Sequence, residues 1–183
     1  MTKVIGLVGR ARSGKSTTAK SMQSEALSKG LKADIFEMSS YVVADLNTDL
    51  PKDLVIPVSY TRENIDPKEL VKRGMSRRAE DPYYWVNLLN NDIRERRPDI
   101  AIIPNIRFLN EANFVRLFDG KLIRVLSLLR DGVEFISPDR DPNHQSETEH
   151  LKIEADFVLT NMRGKEKLLD LQARTLLRYI LEG

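Results

Sequence analysis

Gly9-Arg10-Ala11-Arg12-Ser13-Gly14-Lys15-Ser16, set directly behind the apolar run Val4-Ile5-Gly6-Leu7-Val8, decides the fold. These eight residues satisfy G-x-x-x-x-G-K-[ST], with an expected buried strand before them and a helical pattern after them. The spacing describes a phosphate cradle. Gly9 and Gly14 let the backbone bend without an interfering Cβ, so that successive N–H groups converge on phosphate oxygens. A helix beginning near Gly14 adds its positive dipole end. Lys15 supplies a point charge for the β and γ phosphates, and the Ser16 hydroxyl is placed to ligate Mg²⁺. Gly9, Arg10, Ala11, Arg12, Ser13, Gly14, Lys15, Ser16 and Thr17 thus form an expected nucleoside triphosphate site, with Mg²⁺ as cofactor.

The chain's 183 residues suit one domain with a full core. Hydrophobic residues at 41% and charged residues at 31% are ordinary for a globular protein. With 29 basic and 27 acidic residues the formal charge is +2, which gives no bulk drive toward nucleic acid or membranes. Arginine outnumbers lysine, a bias that suits a site gripping phosphates with planar forks. Cysteine is absent, which excludes a disulfide framework, a thiol nucleophile and a Cys-based zinc site. No stretch approaches the roughly 18 apolar residues of a spanning helix, and the amino terminus leads straight into a strand. A cytoplasmic enzyme is the expectation.

Strand and helix patterns alternate, predicting an α/β fold with a mostly parallel sheet covered on both faces. Ala19, Met22, Ala26 and Leu27 recur at helical spacing before Gly30. Asp34-Ile35-Phe36 reads as a second strand ending at Glu37, and Ser39-Ser40 opens a short helix through Leu46. Residues 47–60, with Pro51 and Pro57, read as irregular. A helix from Asp66-Pro67 should stop at Gly74, and Asp81-Pro82 should start the next, whose stripe is Trp85, Leu88, Leu89 and Ile93. Ile100–Ile103 is an expected buried strand, 110–118 a helix and Leu122–Leu129 a strand apolar on both faces. A polar loop should fill residues 130–145, and Phe157-Val158-Leu159 is a last strand. Leu169, Ala173, Leu176, Leu177 and Ile180 form one face of a final helix.

Three further blocks carry a resemblance. They are Ile102-Ile103-Pro104-Asn105-Ile106-Arg107-Phe108-Leu109-Asn110-Glu111, His144-Gln145-Ser146-Glu147, and Ala155-Asp156-Phe157-Val158-Leu159-Thr160-Asn161. With the phosphate loop, and in this order, they resemble the bacteriophage-type deoxynucleoside monophosphate kinases, a branch of the P-loop kinases. The resemblance implies a three-layer fold with a five-stranded sheet, an acceptor-binding insertion at about 47–80 and a lid at about 130–147. It also implies transfer of the ATP γ-phosphoryl group to a deoxynucleoside 5′-monophosphate. One departure is plain: Asn105 stands where that family has an aspartate that holds Mg²⁺ or its water shell. Either Glu37 or Glu111 takes over part of that role, or catalysis is weakened, or the chain only binds nucleotide.

By the same resemblance Arg107 is assigned to the acceptor phosphate, its bland alternative being an ion pair with Glu111 four residues on. Arg130 and Arg140 belong to the lid, where closure could bring an arginine onto the transferring group; Asp131, Asp139 and Asp141 could equally neutralise them. Acceptor-binding candidates are Glu37, Arg62, Arg77, Arg107, Glu111, His144 and Glu147; for each of the insertion arginines Arg62, Arg73, Arg77 and Arg78 the alternative is a solvated helix face. Asn161, with Thr160, is expected against the adenine, and the metal candidates are Ser16 and Asn105. The expected partners are small molecules, ATP and a nucleoside monophosphate, without nucleic acid or membrane; a homodimer is left open.

One rival is another enzyme of the same kind and one comes from a different class. A kinase of another phosphorylated metabolite is close, because animal-type phosphomevalonate kinases resemble this family too. A regulatory GTPase would need an Asn/Thr-Lys-x-Asp element and an Asp-x-x-Gly switch, and neither is present.

Overall fold

The computed structural model describes residues 1–49, 61, 63–138, 141 and 143–182. In chain order the elements are β1 (Lys3–Val8), α1 (Lys15–Ser28), β2 (Ala33–Ile35), α2 (Met38–Thr48), α3 (Pro67–Glu80), α4 (Tyr84–Arg96), β3 (Ile100–Ile106), α5 (Leu109–Leu117), β4 (Lys121–Leu128), α6 (Gln145–Thr148), β5 (Phe157–Met162) and α7 (Glu166–Glu182). A short 3₁₀ turn, Glu149–Lys152, continues α6. The chain divides into two compact units, one of Met1–Phe36 with Arg97–Gly183 and one of Glu37–Arg96.

The first unit holds a five-stranded sheet in the order β2-β3-β1-β4-β5, every neighbouring pair parallel. Alternation sorts its side chains. Ile5, Leu7, Ile100, Ile102, Ile123 and Val125 point to one face, where Ala19, Met22 and Ala26 of α1 and Leu169, Ala173 and Leu177 of α7 close over them. Helix α5 covers the other face with Ala112, Phe114 and Val115. Each fully buried aliphatic side chain contributes about 1.5–3 kcal/mol. Where α1 meets α7, the buried Glu25 carboxylate is satisfied by Arg178 at 2.7 and 3.1 Å, with Arg174 at 3.7 Å. The fold class expected from the sequence, an α/β fold with a five-stranded parallel sheet and helices on both faces, is the one observed.

Pro104 sits in a central strand, where it cannot donate to the ladder. The strand accommodates it with a bulge: Gly6 pairs with Ile103 and Val8 with Ile106, so Pro104 and Asn105 together oppose Leu7. Strand β3 therefore runs on past Ile103 to Ile106.

In the second unit, α3 passes straight through Gly74 and ends at Glu80, a correction to the stop expected at that glycine. A single glycine costs a helix only about 1 kcal/mol, and here its carbonyl gains a 3.0 Å hydrogen bond from the buried Trp85 indole. Helix α3 starts as expected, with Asp66 Oδ1 accepting the Lys68 N–H and Pro67 in the first turn. Asp81 leads into α4 through its Oδ1, which accepts the Tyr83 N–H at 2.8 Å. It ends α3, and Pro82 and Tyr83 turn before α4 begins at Tyr84. The unit is held by the buried carboxylate of Asp45, which accepts from Arg77 at 3.1 and 3.2 Å and from the Tyr84 hydroxyl at 2.8 Å, with Arg73 at 3.2 Å. Among the described residues no helix is long and apolar enough to cross a membrane.

Candidate functional site

Residues 9–14 turn from the end of β1 into the first turn of α1, at the carboxyl edge of the sheet, where ligands of parallel α/β sheets bind. The two motif glycines are required by contact as well as by conformation. Gly9 has φ 150°, and a Cβ there would lie 2.4 Å from the Val125 carbonyl oxygen. Gly14 caps α1 at φ 106°, and a Cβ there would meet Asn161 Nδ2 and Leu169 Cδ2, each at 2.8 Å. No other residue fits either position without moving backbone or core.

Lys15 is buried and folds back over the loop, its Nζ donating to the Gly9 carbonyl at 2.9 Å and the Arg10 carbonyl at 2.6 Å. Ser13 is 1% exposed, and its hydroxyl has no hydrogen-bond partner among the described residues; it lies 3.0 Å from where a Gly9 Cβ would stand. An orphaned hydroxyl inside a glycine-shaped cradle fits a polar ligand there. Arg12 takes a left-handed backbone, φ 61°, which a non-glycine residue adopts at a cost of about 1 kcal/mol or more. Ser16 and Thr17 open α1 with exposed side chains.

Asn161, assigned from the sequence to the nucleotide base, braces the loop. Its Nδ2 donates to the Ser13 carbonyl at 3.1 Å, joining the end of β5 to the turn, while its Oδ1 is buried without a partner among the described residues.

Arg107 follows β3 immediately, and its guanidinium pairs with Glu147 and donates to the Ser146 carbonyl at 3.3 Å. The expected alternative partner, Glu111, is used otherwise. Its Oε2 accepts the backbone N–H groups of Arg107 at 2.8 Å and Phe108 at 3.2 Å, so this buried carboxylate caps α5. Glu147 is 4% exposed and also accepts the N–H of Ala11 in the phosphate loop. Burial alone would raise its carboxyl pKa, but the Arg107 charge and hydrogen bond, with the Ala11 amide, bring it below the ordinary value. His144 caps α6, its Nδ1 accepting the Ser146 N–H at 3.2 Å.

Sequence reasoning passed over four residues here. The expected polar loop after β4 begins as a tight hairpin: Asp131-Gly132 makes the turn, the Leu129 N–H donates to Val133 at 2.8 Å, and Leu128 bridges Glu134 in antiparallel fashion. This return brings Glu134 to Arg10, 3.4 Å from its Nε. Arg124 of β4 donates to the His150 carbonyl at 3.2 Å and to that of Ile153. His150 is 1% exposed, with neither ring nitrogen hydrogen-bonded among the described residues, and burial lowers its pKa to about 4. Ser127 is the fourth, its buried hydroxyl likewise without a partner among the described residues. The Asp-Gly pair behind an apolar strand is a hairpin signal that could have revealed Glu134; nothing in the local pattern marks His150.

Arg130 is exposed at the hairpin tip. Glu37 and Arg77 belong to the second unit, where Glu37 precedes α2 and Arg77 pairs with Asp45 and, at 3.3 Å, Glu80. Arg62 and Arg140 lie outside the described residues. Asn105 is half-buried in the β3 bulge. A shallow groove of about 680 Å³ between β5 and α7 is lined by Thr160, Leu171, Leu176, Tyr179 and others, none of them charged.

The donor set also tests the expected metal. Among the described residues no group of three His, Cys, Asp or Glu side chains could hold an ion by itself. The exposed Ser16 hydroxyl is a hard oxygen donor at the loop's end. It fits Mg²⁺, which binds through one or two protein oxygens together with phosphates and water.

Comparison with protein-family models and with curated protein sequences yields no match. Solved structures do match over nearly whole chains. A shikimate kinase from Aquifex aeolicus aligns with TM-score 0.53 and 16% identity, covering 98% of this chain and 99% of its own. The APS kinase of Mycobacterium tuberculosis aligns with TM-score 0.51 and 17% identity over 100% and 98%. A sugar kinase from a Janibacter species gives 0.50 and 14% over 97% and 95%. At such identities the likeness is one of architecture, and with the loop geometry it yields one conclusion: the chain has the fold of the P-loop kinases.

Proposed function

We propose that this protein transfers the γ-phosphoryl group of ATP to a small anionic acceptor, and that the acceptor is a deoxynucleoside 5′-monophosphate. The observation that carries the reading is the phosphate loop, with Lys15 Nζ poised at 2.6–2.9 Å from two loop carbonyls and the buried, unpartnered Ser13 hydroxyl within it. Loop amides bind the β and γ phosphates, and Lys15 exchanges its carbonyl partners for phosphate oxygens. Ser16, with Asn105 as the second candidate, would hold Mg²⁺, which when bound would neutralise charge on the phosphates. Arg107 grips the acceptor phosphate, with His144 as a further acceptor contact.

An oxygen of the acceptor phosphate attacks the γ phosphorus in line. The bond to the β–γ bridging oxygen breaks, its electron pair leaves on ADP, and the acceptor becomes a diphosphate. Positioning and positive charge supply the catalysis, without a covalent intermediate. The named substrates of the similar folds, APS, shikimate and sugars, favour a small-molecule acceptor over a macromolecule. A cytoplasmic setting completes the proposal.

The test is ADP release at fixed Mg·ATP over a panel of deoxynucleoside monophosphates, ribonucleotides, mevalonate phosphate, shikimate and sugars. Turnover with a nucleotide supports the reading; turnover only with another acceptor overturns the substrate class. One observation favours a second reading, a nucleotide-binding protein of weak catalysis: the β3 bulge presents an amide, Asn105, and no carboxylate. Turnover that appears only in Asn105→Asp would support it.

A further inference from the structure

The carboxylate of Glu147 holds two donors that a phosphate group would also take: the Ala11 N–H of the phosphate loop and the guanidinium of Arg107. One donor belongs to the proposed ATP site and the other to the proposed acceptor site. Glu147 therefore stands at the seam across which the phosphoryl group would pass. Its side chain is 6% exposed, so the charge is poorly screened by water.

We infer that Glu147 is a built-in competitor for phosphate, an affinity-setting residue that must surrender Arg107, and with it the Ala11 amide, before an anionic substrate can be gripped there. This rests on the reading of the loop and Arg107 as phosphate ligands. The bland alternative is a brace that docks α6 against the turn after β3. That docking has other supports. Glu149 accepts the Leu109 N–H at 2.9 Å, the Ser146 carbonyl accepts from Arg107 at 3.3 Å, and Arg124 ties down the carbonyls of His150 and Ile153. A neutral isostere at Glu147 thus leaves α6 anchored while removing the competing charge.

The two roles predict opposite signs. A brace, once weakened, loosens the site and lowers affinity for anions. A competitor, once neutralised, raises it. Charge-assisted hydrogen bonds to a guanidinium are strong enough that freeing one should tighten anion binding about tenfold.

The experiment is calorimetric titration of inorganic pyrophosphate, and separately of Mg·ATP, into the full chain as wild type, Glu147→Gln, Glu147→Asp, Arg107→Ala and the Glu147→Gln/Arg107→Ala double variant. Thermal melts establish that each is folded. Pyrophosphate should bind Glu147→Gln about tenfold more tightly than wild type. Glu147→Asp, which keeps the charge on a shorter arm, should show a smaller gain, and in the Arg107→Ala background the gain should vanish. Equal or weaker pyrophosphate binding by the folded Gln and Asp variants, with Mg·ATP still bound by wild type, overturns the competitor role alone. If no variant binds either probe, the phosphate-site reading falls and this inference with it.

Discussion

The Asn161 side-chain amide donates to the carbonyl of Ser13 at 3.1 Å, which fixes the outer wall of the phosphate loop to the end of strand β5. The same amide nitrogen lies 2.8 Å from where a Cβ on Gly14 would stand, so the brace and the glycine are shaped to each other. Asn161→Ala removes one hydrogen bond at a cost of about 0.5–1.5 kcal/mol in stability. Mg·ATP affinity should fall about tenfold as the loop loosens, with the melting transition shifted by only a few degrees. Calorimetry and thermal melts on the variant measure both.

Arg107 carries the acceptor side of the proposal. Arg107→Ala should raise the acceptor KM about 10- to 100-fold, the range for a charge-assisted pair, and leave Mg·ATP affinity within about twofold. Equal losses for both substrates would argue against the assignment. Steady-state kinetics with each substrate varied in turn make the distinction.

His150 gives stability a pH dependence of definite sign. Burial holds its folded pKa near 4, below the ordinary 6.5, so between those values the unfolded chain binds a proton that the native protein refuses. Stability is complete above pH 6.5 and declines as pH falls toward 4, by on the order of 3 kcal/mol. Urea unfolding at pH 7.0 and 4.5 should show that decline in wild type and a smaller one in His150→Gln.

How much of this was legible beforehand differs by element. The phosphate loop, the parallel sheet and the apolar faces of α1 and α7 were, because each follows from local spacing: two glycines five apart, runs of Val and Ile, and Leu169, Ala173 and Leu177 one turn apart. Asp66-Pro67 likewise announced α3. Gly74 misled, since a glycine's propensity was outweighed by the Trp85 indole hydrogen-bonding its carbonyl, a contact eleven residues apart in sequence. Pro104 curtailed the reading of β3 because a bulge depends on the register of a partner strand. The linkage of Arg107 to Glu147, forty residues on, has no local signal, and the Glu111 carboxylate at the tempting i+4 position was instead taken up by backbone amides.

Asp45 organises the second unit. Burial raises its pKa, but hydrogen bonds from Arg77 and Tyr84 and the charges of Arg77 and Arg73 outweigh that and hold it below the ordinary 3.8. Its contribution is therefore present above that value and lost as pH falls through the lower folded one. Asp45→Ala should destabilise the protein by about 1–3 kcal/mol at pH 7, through the acceptor lost to Arg77, Arg73 and the Tyr84 hydroxyl. Denaturant titration at pH 7 and pH 3 measures it, and the difference between variant and wild type should shrink at the lower pH.

Calorimetric titration of Mg·ATP into wild type and Lys15→Ala, each verified as folded, tests the central claim most directly. Wild type should bind with a single site per chain, and Lys15→Ala should bind at least tenfold more weakly and release no ADP with any acceptor. Absence of binding by folded wild type, or undiminished binding and transfer by Lys15→Ala, would contradict the phosphate-loop account.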